Sequence, residues 1–578
     1  MTIETAAMKT LQIHADYMMY EPLRREGSVY EEVVPSVREF RDIVVLFTCV
    51  EEDDDEDVVS SLARQVAASL ERLGVENLLI YPYAHLSNRL APPQRALHLL
   101  KLLEDESQKL GLKVHRAPFG WNKKFTLSIK GHPLAEQFRS VTRESLQVTA
   151  AKAPAEATLR QVEAEGRETL HVQLGRELDL FSINPTLGSG FPLFHDKGWI
   201  IREELITLVR ESNKAMGFKE VWTPHVFKSD IWYRTGHYEH YRDRMFTLVA
   251  KGEEYVVKPM NCPAHAMIFA SRPRSYRDLP IMLSEFGTVY RNEQPGELTG
   301  LLRVRSITQD DGHVFARPDQ VEGIIIMILR ESLKILNTTI RGNIYATLST
   351  RPEKFIGDPQ VWEKATEALR GALERVGLSY EIKAGEGAFY GPKIDIDVED
   401  SLGRRWQCTT VQLDFFLPER LGLEYVDSDG SKKRPIMIHR AILGSIERFI
   451  GILLEHYNWR LPFWLSPIQV AVLPVSTRNL KYAEQVKNRL ESAGIRAELM
   501  AEGTLEKRVR SAHQLRASFM MIVGDEEERS GTCSLRDYRG HTARGLSLEK
   551  VVGWLKNLYK ERVKNVGEID ESLSSLTQ

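Results

Sequence analysis

Three side chains with the chemistry of metal ligands stand far apart in this 578-residue chain: Cys262 in VVKPMNCPAH, His313 in RVRSITQDDGHVF and His439 in IMIHRAILGSIERF. A thiolate and two imidazoles suit zinc, in a three-ligand site that leaves one coordination position open. Spacing alone does not join them. Zinc ligands legible from local sequence sit two to five residues apart, whereas 50 and 125 residues intervene here. Taken alone, the trio reads more readily as a buried thiol and two hydrogen-bonded histidines than as a shared metal site. His265, three residues after Cys262, is a rival donor. Arg291 in TVYRNEQPGE and Arg448 in SIERF carry planar forks that match phosphate and carboxylate oxygens. Either could also be a solvated edge residue. His85, after NLLIYPYA, and Lys123, in GWNKKFTLSI, could position a water and stabilise an oxyanion. A surface histidine and a solvated turn are their plain alternatives.

Such residues need a scaffold, and the chain supplies several. Within HDKGWIIREELITLVRESNKAMGFKEVWTPH, from His195 to His225, Ile201, Leu205, Val209 and Met216 recur at helical spacing. Lys214 falls in the last turn and Gly217 at a C-terminal cap, and KEVWTP reads as the strand that follows. TVYR and VRSIT alternate as two strands, with proline and glycine between Gln294 and Gly300 for the loop. Ile446, Ile450, Leu453 and Tyr457 mark one buried helical face, entered through Gly444 and Ser445. Earlier, KTLQIHADY, DIVVLFTCV, NLLIYPYAHL and KVHRAPFGWNKKFTLSIKGHPLAE read as strands. Two helices separate them, carrying Leu62, Val66, Leu70 and Leu97, Leu100, Leu103. That is a small α/β domain over residues 1–140. The acidic run Glu51 to Asp57 reads as an exposed loop, and 141–180 as a linker with a polar helix. IQVAVLPV, RAELM and SFMMIVG, with helices after Thr477, Glu502 and Ser547, form a second α/β unit over 466–565. Residues 566–578 read as a tail.

The run from Phe191 to Tyr457 resembles the catalytic core of class II aminoacyl-tRNA synthetases, and specifically the threonyl-tRNA synthetase family, with three motifs in the family's order. The resemblance implies an antiparallel-sheet core with flanking helices over 181–465, and a homodimer formed through the first motif, with Pro224 at its end. It implies activation of L-threonine by ATP with Mg2+, then transfer to tRNA(Thr). Arg291, Arg448, Lys393 and Gln407 would serve catalysis. Glu293, Arg303, Ile307 and Thr410 would join Arg291, Gln407 and Arg448 around ATP, and Gln309, Asp311, Tyr390 and Gln412 would hold threonine. Ile307 stands where the family usually has an aromatic residue beneath adenine. The resemblance implies that Cys262, His313 and His439 would hold one zinc ion. The metal has a chemical purpose, because an apolar pocket separates isosteres such as threonine and valine by only about two orders of magnitude. A Lewis acid ligated by both amine and hydroxyl excludes valine. Serine still fits, since one methyl is worth only about 1–3 kcal/mol.

An editing site is therefore expected, and residues 1–140 resemble the archaeal family's editing domain, which has the fold of D-aminoacyl-tRNA deacylases. Carry-over marks His85 and Lys123, with Glu136 nearby and Pro82, Tyr83 and Ala84 at a strand end, where open α/β sheets bind ligands. Asn122 stands where relatives often have an aromatic residue. Residues 466–565 resemble the anticodon-binding domain of several class II enzymes, with Glu527 and Arg536 at base-reading positions. Lys507, Arg508, Arg510 and Arg516 offer phosphate contacts. Glu502 replaces a common asparagine. A prolyl enzyme of the same subgroup would not explain the three zinc ligands, and a non-enzymatic tRNA-binding paralogue would not need Arg291 and Arg448.

Global properties are consistent with this. A length of 578 residues accommodates three or four domains. A formal charge of -3 argues against a polybasic tail as the source of RNA affinity and points to local patches. Cysteines at 49, 262, 408 and 533 form no disulfide framework, which fits a reducing cytoplasm. No apolar run is long enough to span a membrane.

Overall fold

The computed structural model describes residues 7–26, 28–87, 89–130, 135–142, 169–458 and 460–569. They belong to two units, Met1–Glu168 and Thr169–Gln578. Most of the expected linker, residues 143–168, and the tail from residue 570 lie outside the described residues.

In the first unit, β1 (Ala7–Arg25), β2 (Arg38–Cys49), β3 (Asn77–Pro82), β4 (Lys113–Arg116), β5 (Trp121–Ile129) and β6 (Glu136–Thr142) share one sheet. Its order is β4-β3-β2-β1-β5, and the 19-residue β1 also pairs with β6 along its first third. β2, β3 and β4 run parallel, so crossover helices must cover a face. These are α1 (Glu56–Leu73) and α2 (Pro93–Lys109). DIVVLFTCV lacks polar alternation because β2 is covered on both sides. Val44 and Leu46 pack with Leu62, Val66 and Leu100, while Val45 and Phe47 pack with Tyr20 and Tyr81. On α2 the buried face is Ala96, Leu99, Leu100 and Leu103, with Leu97 at its edge.

The acidic run is not an exposed loop. Glu51 and Asp54 are buried. Asp54 accepts the Glu51 N–H at 2.7 Å and Glu51 pairs with Lys9 at 2.7 Å. Asp55 caps α1 by accepting the Val58 N–H at 3.1 Å, and Glu56 and Asp57 occupy the first turn, where the helix dipole favours carboxylates.

The second unit opens with α3 (Leu170–Glu177), inside the stretch expected to be linker; its His171 and Leu174 are fully buried. α4 (Asp196–Met216) follows, stopped by Gly217 at φ 93°. Of the strand expected in KEVWTP only β7 (Lys219–Glu220) is paired. Next come α5 (Cys262–Ala270), β8 (Ile281–Tyr290), β9 (Ser306–Ala316) and α6 (Val321–Thr339). β10 (Ile344–Ser349), α7 (Pro359–Val376), β11 (Tyr380–Lys383), β12 (Lys393–Glu399), β13 (Arg405–Asp414), β14 (Ile436–Ser445) and α8 (Ile446–His456) complete the core. The sheet order is β11-β10-β12-β13-β14-β9-β8-β7, antiparallel except at its two edge pairs. α4, α6, α7 and α8 bury their apolar stripes against it in one cluster that includes Ile201, Leu205, Ile325, Leu369 and Ile450.

The remaining α/β layer holds β15 (Val470–Pro474), α9 (Leu480–Ser492), β16 (Ala497–Leu499), α10 (Leu505–Gln514), β17 (Phe519–Val523), β18 (Thr532–Arg536), β19 (Thr542–Ser547) and α11 (Leu548–Lys560). Its sheet runs β16-β15-β17-β18-β19. Tyr559 donates to Glu204 of α4 at 2.9 Å, Arg562 pairs with Glu211 at 2.6 Å, and the Lys564 ammonium reaches the Ile340 carbonyl at 2.8 Å, fixing this layer to the core. Among the described residues no helix is long and apolar enough to cross a membrane, and all four cysteines are free and buried.

Candidate functional site

Sheet register assembles the first site. His313 on β9 lies opposite His439 on β14, and His439 lies opposite Gln412 on β13. Cys262 begins α5, and one donor atom from each of Cys262, His313 and His439 falls within 4.8 Å of the other two. Burial and the neighbouring His265, His439 and Arg440 hold His313 well below the usual imidazole range, so it stays a neutral donor. Burial, then the Asp311 and Asp414 carboxylates, push the Cys262 thiol up. The rival donor has another role. His265 Nδ1 lies 2.8 Å from His313 Nδ1, and its Nε2 lies 3.2 Å from Glu285. Burial would raise Glu285, but hydrogen bonds from His265 and Thr223 and the Lys258 ammonium hold it near about 2. That carboxylate accepts a hydrogen bond from His265 Nε2–H, His265 Nδ1 accepts from His313 Nδ1–H, and His313 Nε2 is left with its lone pair. On the other side His439 Nε2 meets Asp414 at 2.9 Å, which orients the ring. Three converging donors with two of them oriented by a supporting shell fit a zinc ion.

Around the trio, period-2 placement sets the rest. Ile307, Gln309, Asp311 and His313 alternate along one face of β9. Asp311 accepts from Asn261 at 3.0 Å. Tyr390 donates to Gln412 at 3.2 Å, its ring 6.0 Å from that of His439. Toward the other end, Arg291 follows β8 directly, with its guanidinium 5.7 Å from the Tyr241 ring. Arg448 stands in the first turn of α8, capped by Ser445, and donates to the Gln407 carbonyl at 2.6 Å. Gly444 at φ 75° turns the chain into this helix, and the buried Asp310 accepts the N–H groups of Ile442, Leu443 and Gly444 to fix the bend. Glu293 and Arg303, both expected at ATP, pair with each other at 2.8 Å.

Two residues the sequence reading passed over organise this end. Asp395 accepts from Gln407 at 2.8 Å and Thr410 at 2.7 Å and pairs with Lys393 at 2.7 Å, tying three expected site residues together. Its signal was the acidic alternation in KIDIDVED. His171 places Nδ1 2.6 Å from Glu455 of α8 and accepts the Leu301 N–H at 3.0 Å, so it pins the return of the 291–305 loop to α8. Gly300 leaves it room, since a Cβ there would lie 2.1 Å from His171 Nε2.

The first unit holds a separate cavity of about 500 Å³ lined by Pro82, Tyr83, Ala84, His85 and Lys123, with Thr48, Cys49 and Tyr81 behind them. The Lys123 ammonium donates to the carbonyls of Pro118 and Trp121, each at 2.9 Å, and sits 5.1 Å from the Tyr81 ring. Burial pushes it down to about 8. His85 is exposed, its ring 5.2 Å from that of Tyr83. Asn122 also lines the cavity. Glu136 is on β6 opposite Ile13, and its side chain lies outside the described residues.

In the C-terminal layer, Glu527 accepts from the Gly524 N–H at 2.9 Å and from Ser534 at 2.8 Å, and Arg536 ends β18. The expected basic helix is thinner than its sequence. Arg508 is buried and bonds the carbonyls of Pro474 and Ala501, which leaves Lys507 and Arg510 exposed on α10, while Arg516 lies beyond its end.

Comparison with known proteins agrees with this layout. Residues 8–141 match the family model "Archaea-specific editing domain of threonyl-tRNA synthetase". Residues 246–457 match "tRNA synthetase class II core domain (G, H, P, S and T)", and 469–558 match "Anticodon binding domain". A threonine–tRNA ligase catalytic subunit of Saccharolobus islandicus is 51% identical over 389 residues, covering 67% of this chain and 71% of that one. The protein of the same name from Metallosphaera sedula is 49% identical over 388 residues, covering 67% and 72%. A crystal structure titled as the RNA binding domain of threonyl-tRNA synthetase from Cryptosporidium parvum superposes with a TM-score of 0.64 at 36% identity, covering 67% of this chain and 98% of that one. A putative threonyl-tRNA synthetase, ThrRS-1, from Aeropyrum pernix gives 0.60 at 30%, covering 68% and 97%.

Proposed function

Because this chain belongs to the threonine–tRNA ligase family, we propose that its two units divide selection of the amino acid between them, ligation in the second and removal of mischarged serine in the first. The observation that carries the reading is the buried convergence of Cys262, His313 and His439 beside Asp311, Gln412 and Tyr390. Cys262 Sγ, His313 Nε2 and His439 Nδ1 would hold zinc, which when bound supplies a Lewis acid that the amine and hydroxyl of threonine both ligate. Asp311 faces the same space and receives the amino group. Gln309, one step down β9, and Tyr390 with Gln412 close the pocket around the side chain. The threonine carboxylate then points along β9 toward Arg291.

There the carboxylate oxygen attacks the α-phosphorus of ATP, and the bond to pyrophosphate breaks. Arg291 neutralises charge on the transferring phosphoryl group, and Arg448 holds the far phosphates from the α8 terminus. Asp395 keeps Lys393, Gln407 and Thr410 in place beside them. The Glu293–Arg303 pair and Ile307 flank the nucleoside. Mg2+ accompanies the nucleotide. The terminal ribose hydroxyl of tRNA(Thr) next attacks the adenylate carbonyl and displaces AMP. Lys507, Arg510 and Arg536, with Glu527, serve the anticodon arm.

Serine carries both groups that ligate the metal, so its ester must be cleared elsewhere. The Lys123 cavity supports this, with an ammonium beside a carbonyl-lined wall to stabilise the oxyanion and His85 at the mouth to position water. A homodimer through α4 and β7 is supported by Trp199 and Trp222, 51% and 71% exposed beside the exposed Pro224. Sedimentation showing only monomer at micromolar concentration would remove it. The reading as a whole is tested by charging cognate tRNA with labelled threonine, serine and valine. Lys123→Ala should accumulate Ser-tRNA with threonine activation unchanged, and no variant of the first unit should accumulate Val-tRNA. Val-tRNA in the Lys123 variant, or no Ser-tRNA at all, would break the division of labour.

A further inference from the structure

His85 sits in a single helical turn, Ala84–Leu86, that has neither a side-chain cap nor a buried residue of its own. With so little packing inside the turn, its flanks must fix its place. Both flanks are tied to residues 48–52, where β2 ends. Before the turn, the Tyr83 N–H donates to the Thr48 carbonyl at 2.9 Å. After it, the Ala91 N–H donates to the Val50 carbonyl at 3.0 Å, and the Glu52 N–H to the Arg89 carbonyl at 3.2 Å. These are backbone contacts that many sequences could make. Glu51 adds a side chain: its carboxylate accepts from the hydroxyl of Ser87, the residue that ends the turn. Ser87 Oγ also accepts the Arg89 N–H at 3.1 Å, so one hydroxyl joins the turn to both the carboxylate and the returning chain.

Glu51 is only 3% exposed, and a carboxylate taken out of water is costly unless it is paired. Here Lys9 of β1 lies 2.7 Å from the same oxygen that Ser87 reaches. Asp54 accepts the Glu51 N–H at 2.7 Å, and Arg95 donates to the Asp54 carbonyl at 2.6 Å, so the backbone under the carboxylate is held as well. A hydrogen bond to an ionised acceptor is about twice as strong as a neutral one. A neutral amide would avoid the desolvation cost and hold Ser87 more weakly. Thr48, Cys49, Val50, Leu90 and Ala91 line the Lys123 cavity and Glu51 does not, so it reaches the site through Ser87 rather than by touching substrate.

We propose that Glu51 is a positioning residue for deacylation of Ser-tRNA: through Ser87 it holds the His85 turn against the end of β2 and so sets where the imidazole places the attacking water. The proposal rests on the reading that His85 and Lys123 clear serine esters from this cavity. Displacing a group that orients a reactant by about 1 Å costs up to about a hundredfold in rate. Binding of the ester suffers less, because Lys123 and the cavity walls stay in place.

The test is deacylation of preformed Ser-tRNA(Thr) by the intact chain carrying Glu51→Gln, Ser87→Ala or His85→Ala, singly and in pairs. Glu51→Gln and Ser87→Ala should each lower kcat by about ten- to a hundredfold with little change in KM. Ser87→Thr, which keeps the hydroxyl, should restore most of the rate. ATP–pyrophosphate exchange with threonine should be unchanged, since Glu51 and Ser87 belong to the first unit. In the His85→Ala background neither substitution should have a further effect, because a residue that acts only through the imidazole has nothing left to place. A merely structural carboxylate would instead cut the rate by the same factor in both backgrounds, and that outcome overturns the proposal. Wild-type kcat in Glu51→Gln overturns it as well. If Glu51→Gln does not fold, Ser87→Ala carries the same test from the partly exposed end of the contact, and a wild-type rate there is equally decisive. An unmodified chain that does not release serine, or a rate indifferent to His85→Ala, would fault the editing reading itself and take the proposal with it.

Discussion

Editing should fail as pH rises through the titration of Lys123. Burial lowers that ammonium from its ordinary value to about 8, and the carbonyls of Pro118 and Trp121 hold it in place. A drop from about 10.5 to about 8 corresponds to roughly 3 kcal/mol of lost preference for the charged form. The proposed role is stabilisation of an oxyanion, which requires the protonated amine. A group whose pKa is depressed loses its proton early, so about half of the chains keep the ammonium at pH 8 and about one in eleven at pH 9. Deacylation of preformed Ser-tRNA, corrected for uncatalysed ester hydrolysis at each pH, should therefore fall about tenfold per unit above pH 8. Lys123→Arg, charged throughout this range, should flatten the decline if its longer side chain still reaches the cavity, and Lys123→Met should be low at every pH. Threonine activation should not share the profile, because Lys123 belongs to the first unit and Arg291 and Arg448 to the second. A rate that rises through pH 8 would make the free amine a general base and refute the oxyanion role. A profile unchanged in Lys123→Met would remove the residue from the chemistry.

Two further outcomes test the second unit. Asp414→Asn weakens the orientation of His439 and should lower zinc affinity by about 10–100-fold while folding is retained, read by competition with a chromophoric chelator; unchanged affinity would mean that Asp414 does not hold the imidazole. His171→Ala leaves the Leu301 N–H and the Glu455 carboxylate without that partner at a cost of about 1–3 kcal/mol for a buried polar group, and it should raise KM for ATP in pyrophosphate exchange more than KM for threonine; an equal change in both would reduce His171 to a general structural residue.

Elements whose signal is local were legible. The helix over Asp196–Met216 with its Gly217 stop, the strand pair flanking 291–305 and the helix after Ser445 follow from periodicity and capping, which depend on neighbours a few residues away. The convergence of Cys262, His313 and His439 was legible only through motif resemblance, since pairing of β9 with β14 and a helix N-terminus, not sequence spacing, bring them together. Errors arose where burial decides a side chain's role. Glu51 and Asp54 resemble any solvated acidic run until Lys9 and a backbone N–H meet them, and Arg508 counts as one more cation until its guanidinium is found bonding the carbonyls of Pro474 and Ala501.

The same reasoning separates ligands from the residues that orient them. A ligand's type is constrained by the metal, so cysteine and histidine stand out in any sequence. An orienting partner need only accept or donate one hydrogen bond, and carboxylates, imidazoles and backbone groups all qualify. Asp414, His265 and Asp395 therefore carry no compositional mark, although each fixes residues that would touch substrate or metal. His265 is the sharpest case. Its type and its position three residues from Cys262 argued for a ligand, and only the direction of its ring, with Nδ1 toward His313 and Nε2 toward Glu285, assigns it to proton placement instead. Glu285 anchors that chain of hydrogen bonds through Thr223, beyond α4, and through Lys258, just before α5, so the orientation of His313 depends on packing between these segments and β8.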